Sequence, residues 1–138
     1  MCILSKFLLE IITPEKIFFQ GEVESVVCQT DDGEIGVLKG HQTMVAALKV
    51  GEIRLKIDGI WKNALSSEGF MEVRPDKTVI FSQSCEWPED IDLERAEHAR
   101  IHALEKIEHE HGIREHRHNE ISLARAMARL KIKNRKHS

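Results

Sequence analysis

Four residues near the C-terminal end could act together on an anionic ligand: Asp92, Arg95, Arg125 and Arg129. Asp92 and Arg95 stand three apart, and Arg125 and Arg129 four apart, so each pair shares one face of a helix. Where two such helices fold back on each other, the start of the first lies beside the end of the second. Paired guanidiniums next to a helix N-terminus suit a polyphosphate, since bidentate donors and the positive end of a helix dipole act on the same oxygens. The alternative use of the same residues is a solvated ion-pair cluster joining Asp92 to an arginine, which contributes little to stability.

The histidines are the other chemistry-bearing group. His98 and His102 are four apart, a spacing that can hold zinc, and His109, His111, His116 and His118 cluster around a polar stretch. A structural zinc site needs about four convergent ligands. No cysteine pair supports these, so solvated histidines on a helical hairpin are the simpler reading, and a pH-sensitive hairpin is the alternative. No metal site is expected. Neither GxSxG, HExxH nor a P-loop occurs, and no Ser/His/Asp grouping has a catalytic context. Nothing points to an enzyme acting by itself.

These residues need helices to carry them. From Trp87-Pro88-Glu89-Asp90 onward the pattern changes to a helical period, with Asp90 or Asp92 able to cap the first helix. Leu93, Ala96, Leu104 and Ile107 then share one side, widened by Ile101 and Ala103. Gly112 interrupts, His111 to Asn119 is polar, and a second helix follows. It carries Ile121, Ala124, Ala128 and Ile132 on one stripe and Leu123, Met127 and Leu130 on another. Two helices joined by a polar turn make an antiparallel hairpin. After Glu120 every charge is basic: Arg125, Arg129, Lys131, Lys133, Arg135 and Lys136. That run either complements a helix C-terminus or forms an electrostatic hook for an acidic partner.

Upstream the period is two. Ile53, Leu55 and Ile57 alternate with Arg54, Lys56 and Asp58, and Asp58-Gly59 supplies the positive φ angles of a tight hairpin turn. Asp31-Asp32-Gly33 and Pro75-Asp76-Lys77 mark further turns, and Val79-Ile80-Phe81 is another strand. Many short strands at this spacing imply a sandwich or barrel. Between them, Gly33-Glu34-Ile35-Gly36-Val37-Leu38-Lys39-Gly40-His41 describes a strand that bends sharply and leaves its sheet.

Composition fits one small domain with an appendage. The chain has 138 residues, 41% hydrophobic and 31% charged, with a formal net charge of −3. No basic face dominates, which argues against nucleic acid. No apolar run approaches the roughly 18 residues of a membrane-spanning helix, and no signal peptide is legible. The three cysteines, Cys2, Cys28 and Cys85, lack CxxC spacing and read as reduced thiols. Cys28, in Val26-Val27-Cys28, reads as a buried small hydrophobe.

Taken together, Thr13-Pro14-Glu15, Glu22-Val23-Glu24-Ser25-Val26, the Gly33–His41 stretch and Ile91-Asp92-Leu93-Glu94-Arg95-Ala96 resemble the epsilon subunit of bacterial F-type ATP synthase. The resemblance runs from about Leu8 to Leu130. It implies a β-sandwich of about ten strands over residues 1–87, followed by a regulatory two-helix hairpin over 88–138. It implies a non-catalytic rotor subunit of the central stalk that couples ion flow to ATP synthesis. The sandwich would bind the gamma subunit and the ring of c subunits, with Glu34 and His41 as ring contacts. The hairpin would inhibit hydrolysis by entering the alpha/beta hexamer. The chain would lie on the cytoplasmic side of the bacterial cell membrane, peripheral and held only through the complex.

No cofactor is required, but ATP is implied as a regulatory ligand held by Glu86, Asp92, Arg95, Arg125 and Arg129. His102 stands where ATP-binding members can carry another arginine, Lys39 replaces a common proline, and Cys85 sits where alanine is frequent. A standalone nucleotide-sensing module without a synthase is the rival reading.

Overall fold

The computed structural model describes residues 5–108 and 113–137, with the side chains of 108, 113–115 and 134–137 left aside. The chain divides into two compact units, Met1–Glu86 and Trp87–Ser138.

The first unit holds ten strands: β1 (Phe7–Ile12), β2 (Ile17–Val23), β3 (Ser25–Thr30), β4 (Gly33–Val37), β5 (Met44–Leu48), β6 (Gly51–Ile57), β7 (Ile60–Ser66), β8 (Gly69–Val73), β9 (Lys77–Ser82) and β10 (Cys85–Glu86). They form two five-stranded sheets, ordered β2-β1-β9-β8-β5 and β10-β7-β6-β3-β4. All pairings are antiparallel except β1 with β9. Alternation decides which residues face inward. Leu9 and Ile11, Ile53 and Leu55, and Met71 and Val73 are buried, and they meet Val23, Val26, Cys28 and Ile80 between the sheets. Each such side chain contributes about 1.5–3 kcal/mol by leaving water.

The turns follow their residue types. Asp58 and Gly59 have φ of 49° and 80°, which places both central residues in the left-handed region that a two-residue hairpin requires. The buried Glu24 carboxylate, at the bend between β2 and β3, accepts the Gly59 N–H at 2.8 Å and fixes this turn from a distant part of the chain. The Gly33–His41 stretch runs along β4, an edge strand, and then leaves it. Gly40 takes a φ of 83°, and the chain enters β5 in the opposite sheet. The expected bend is therefore a crossover between sheets. Buried serines close the region near β10: Ser66 Oγ donates to Ser82 Oγ at 2.8 Å, and Ser82 Oγ to the Ser84 carbonyl at 2.7 Å.

The second unit opens with a 3-10 turn, Pro88–Asp90, followed by helices α1 (Leu93–Glu108) and α2 (Ile113–His137). Two expectations change here. Helix α2 begins at Ile113, so His116, His118 and Asn119 are helical rather than part of a polar turn. The buried stripe also differs. Ala96, Ala103, Ala126 and Ile132 are buried, together with Asn119, while Ile101, Leu104 and Met127 are 43%, 39% and 50% exposed. Small side chains let two helix axes approach closely, and the bulkier residues are displaced outward. Gly112, His109 and His111 lie outside the described residues, and so do the side chains of Arg135 and Lys136.

Candidate functional site

Helix α1 starts at a side-chain cap. Asp92 Oδ1 accepts the Arg95 N–H at 3.2 Å, and the Asp92 carbonyl accepts the Ala96 N–H at 2.9 Å. Of the two aspartates that the sequence allows as caps, Asp92 therefore serves. Its carboxylate occupies the positive end of the helix.

The register of the hairpin follows from its length. The chain passes from Glu108 of α1 to Ile113 of α2, and the helices rise at the same 1.5 Å per residue. Each step back along α1 thus matches a step forward along α2. An observed contact agrees with this count: Lys133 Nζ donates to the Pro88 carbonyl at 3.0 Å. By this count Ala96 falls within one residue of the level of Ala126, and Ala103 within one residue of the level of Asn119. These four are all buried.

Arg95 and Arg125 each immediately precede one of the two level alanines. In an antiparallel pair, equal offsets fall on the same flank of the seam, because residues advance by 100° in both helices. Asp92, four before Ala96, and Arg129, three after Ala126, turn to that flank too. Helical periodicity alone thus assigns four of the five residues expected to bind ATP to one flank of the hairpin. Asp92 and Arg95 are exposed, whereas Arg125 and Arg129 are half-buried. Burial lowers the pKa of the Arg125 guanidinium, and the like charge of Arg129 lowers it further. An anion placed between them would relieve that repulsion.

The fifth residue, Glu86, ends β10 in the sandwich unit, paired with Leu65 and half-buried. Glu34 and His41 are carried by β4 and the loop after it. Glu34 is the second residue of β4 and points to the outer face, where Arg54 reaches it at 2.7 Å. Trp61 continues this face, with the Arg54 and Lys56 cations each 5.8 Å from its ring centroid. His41 lies four residues beyond the strand. Its Nδ1 is 2.9 Å from the Gln42 carbonyl, and its N–H donates to the Leu38 carbonyl at 3.1 Å. It lines a cleft of about 540 Å³ with Lys6, Phe7, Lys39 and Arg74. Glu34 does not line that cleft, so the length of β4 separates the two expected ring contacts.

Of the remaining histidines, His98 and His102 are exposed on α1, and His116 Nε2 meets Glu120 Oε1 at 2.7 Å along α2. Cys28 and Cys85 are buried and outside any disulfide. Burial pushes each thiol up to about 12. Cys2 lies outside the described residues. Sequence reasoning missed Asn119, Glu24 and the capping of Pro88 by Lys133, for which polarity alone gives no signal. Among the described residues, no helix is long and apolar enough to cross a membrane.

Comparison with known proteins places both units. Residues 6–88 match the family model for the ATP synthase Delta/Epsilon chain β-sandwich domain. Residues 89–134 match the model for the long α-helix domain of the same chain. The ATP synthase epsilon chain of Ruminiclostridium cellulolyticum is 41% identical over 133 residues, covering 96% of this chain and 99% of that protein. The epsilon chain of Caldanaerobacter subterraneus subsp. tengcongensis is 42% identical over 127 residues, covering 91% and 92%. Among solved structures, a chain of the Euglena gracilis mitochondrial ATP synthase OSCP/F1/c-ring assembly aligns with a TM-score of 0.76 at 24% identity, covering 93% of this chain and 81% of that one. A chain of the Tetrahymena thermophila central stalk and c-ring aligns at 0.66 and 10% identity, covering 97% and 98%. At those identities the two structures show a shared fold.

Proposed function

Because the chain belongs to the ATP synthase Delta/Epsilon family and is an epsilon chain, a non-catalytic subunit of that complex, we propose that its hairpin is an ATP-gated brake on hydrolysis. What supports this reading is the packing of α1 against α2 along Ala96, Ala103, Ala126 and Asn119, from which helical periodicity puts Asp92, Arg95, Arg125 and Arg129 on one flank. A triphosphate there would bridge the two helices. It would engage guanidiniums from both, beside the N-terminus of α1. ATP bound in this way favours the closed hairpin, because separating the helices removes half of its contacts. A ligand shifts such an equilibrium only by its differential affinity for the two states.

In this reading the chain is a rotor subunit of the central stalk, couples ion flow to ATP synthesis, and is held at the cytoplasmic side of the bacterial membrane only through the complex. The two solved neighbours agree with a stalk role, since one belongs to an OSCP/F1/c-ring assembly and the other to a central stalk and c-ring assembly. The sandwich binds the gamma subunit and rests on the c-ring, with Glu34 and His41 as contacts at separate points of β4 and its loop. When ATP is scarce, α2 leaves α1, and its basic run from Arg125 to Lys136 meets acidic segments of the alpha/beta hexamer. Rotation in the hydrolytic direction is then blocked.

The experiment is a truncation after Pro88, assembled with the partner subunits. Assembly should persist, and hydrolysis should rise above that of the enzyme carrying the full chain. Unchanged hydrolysis in a fully assembled truncated enzyme would remove the inhibitory role.

A further inference from the structure

One group in the hairpin works against its closure. Asn119 is 1% exposed, as deeply buried as the apolar core of the sandwich. Its amide Nδ2 has no hydrogen-bond partner among the described residues. It shares the buried stripe of α2 with Ala126, one heptad on, and the buried residues of α1 are Ala96 and Ala103, whose methyl groups offer an amide nothing. His116, one turn earlier, is engaged with Glu120 along the surface of α2. Nearly all buried polar side chains in folded proteins are paired, so an orphan at the centre of a seam is a feature with a consequence.

The consequence is directional. While the hairpin is closed, the Asn119 Nδ2 is withdrawn from water and its N–H groups receive no acceptor in exchange. When α2 separates from α1, the amide is hydrated again. The group therefore contributes to opening rather than to closure. At the other end of the hairpin a contact favours closure: Lys133 Nζ of α2 donates to the Pro88 carbonyl ahead of α1. The seam is thus held at its base and weakened toward the connection.

We propose that Asn119 is a built-in weak point of the hairpin, whose buried, unpartnered amide nitrogen sets how readily α2 leaves α1. The residue acts by positioning an equilibrium and touches no ligand. Arg125 and Arg129 would bias the equilibrium by what they bind, whereas Asn119 fixes where it rests without ligand. The inference rests on the reading of the hairpin as an element that opens.

The test is amide hydrogen exchange on the isolated full chain without nucleotide, for the native sequence, Asn119→Leu and Asn119→Ala. Leucine fills the site with apolar volume, and alanine removes the polar group if leucine is too large. Exchange along α1 and α2 is expected to slow by about tenfold in at least one variant, the scale set by one unsatisfied buried group. Strands β1, β8 and β9 serve as the internal control and should not change. Unchanged or faster helix exchange in both variants overturns the proposal and makes Asn119 a satisfied part of the packing. This result does not depend on whether the hairpin inhibits hydrolysis, so the two readings fail separately.

Discussion

Lys133 closes the hairpin by donating from Nζ to the carbonyl of Pro88 at 3.0 Å, a contact across 45 positions of sequence. The bond ties the last third of α2 to the 3-10 turn that precedes α1, and so holds both ends of the arginine cluster in register. Lys133→Met keeps the aliphatic stem and removes the donor. We expect a loss of about 1 kcal/mol in the stability of the helical unit, as for one partly exposed charge-assisted hydrogen bond. Hydrogen exchange near residues 126–133 should accelerate, while β-strand amides in the sandwich keep their rates.

Two glycines separate steric need from mere occurrence. A Cβ on Gly69 would sit 1.9 Å from the Phe81 carbonyl oxygen, inside the β8–β9 pairing, where no flexible side chain can yield. A Cβ on Gly36 would meet Val27 Cγ2 at 3.9 Å, an ordinary contact. Gly69→Ala should destabilise the sandwich by about 3 kcal/mol or more, and Gly36→Ala by roughly 0.5 kcal/mol or less. Urea unfolding followed by tryptophan fluorescence in a Trp87→Phe background, which leaves Trp61 as the emitter, reads both.

The buried thiols give a pH prediction whose sign is fixed. Burial raises Cys28 and Cys85 from 9.0 to about 12, so the folded state holds both protons more tightly than the unfolded chain. The stability linked to them is fully present below pH 9 and declines as pH rises toward 12. In a Cys2→Ser background, a thiol reagent at pH 8 should label the native protein slowly and the urea-unfolded protein at once. Rapid native labelling would place these thiols at the surface.

Legibility of the sequence followed the physics of each signal. Asp58-Gly59 was readable because few residue pairs accept φ values of 49° and 80°, and only a tight hairpin needs them. The change of period at Trp87–Asp90 was readable because proline and a capping aspartate punctuate a helix start. The helix seam was not. Periodicity weighs apolarity, so Leu93, Leu104 and Ile107 shared the expected stripe with Ala96, and Ile101 widened it alongside Ala103. Close approach instead selects for size, and Ala96, Ala103 and Ala126 took that place. Asn119 looked like the end of a polar connection for the same reason. At the site, spacing alone brought Asp92 near the arginines only on the assumption of a closed hairpin. The Lys133–Pro88 contact supplies the register that the sequence lacks. Glu24 gave no signal, since its role depends on Gly59, which is 35 residues away.

The central claim is that the hairpin base reads ATP, and calorimetric titration of ATP into the isolated chain tests it most directly. The account predicts saturable binding at or below millimolar ATP, lost in Arg129→Ala and sharply weakened in Arg95→Ala, because the two helices contribute to one site. Absence of binding at millimolar ATP would contradict it. So would binding that survives both substitutions, since the nucleotide would then lie elsewhere.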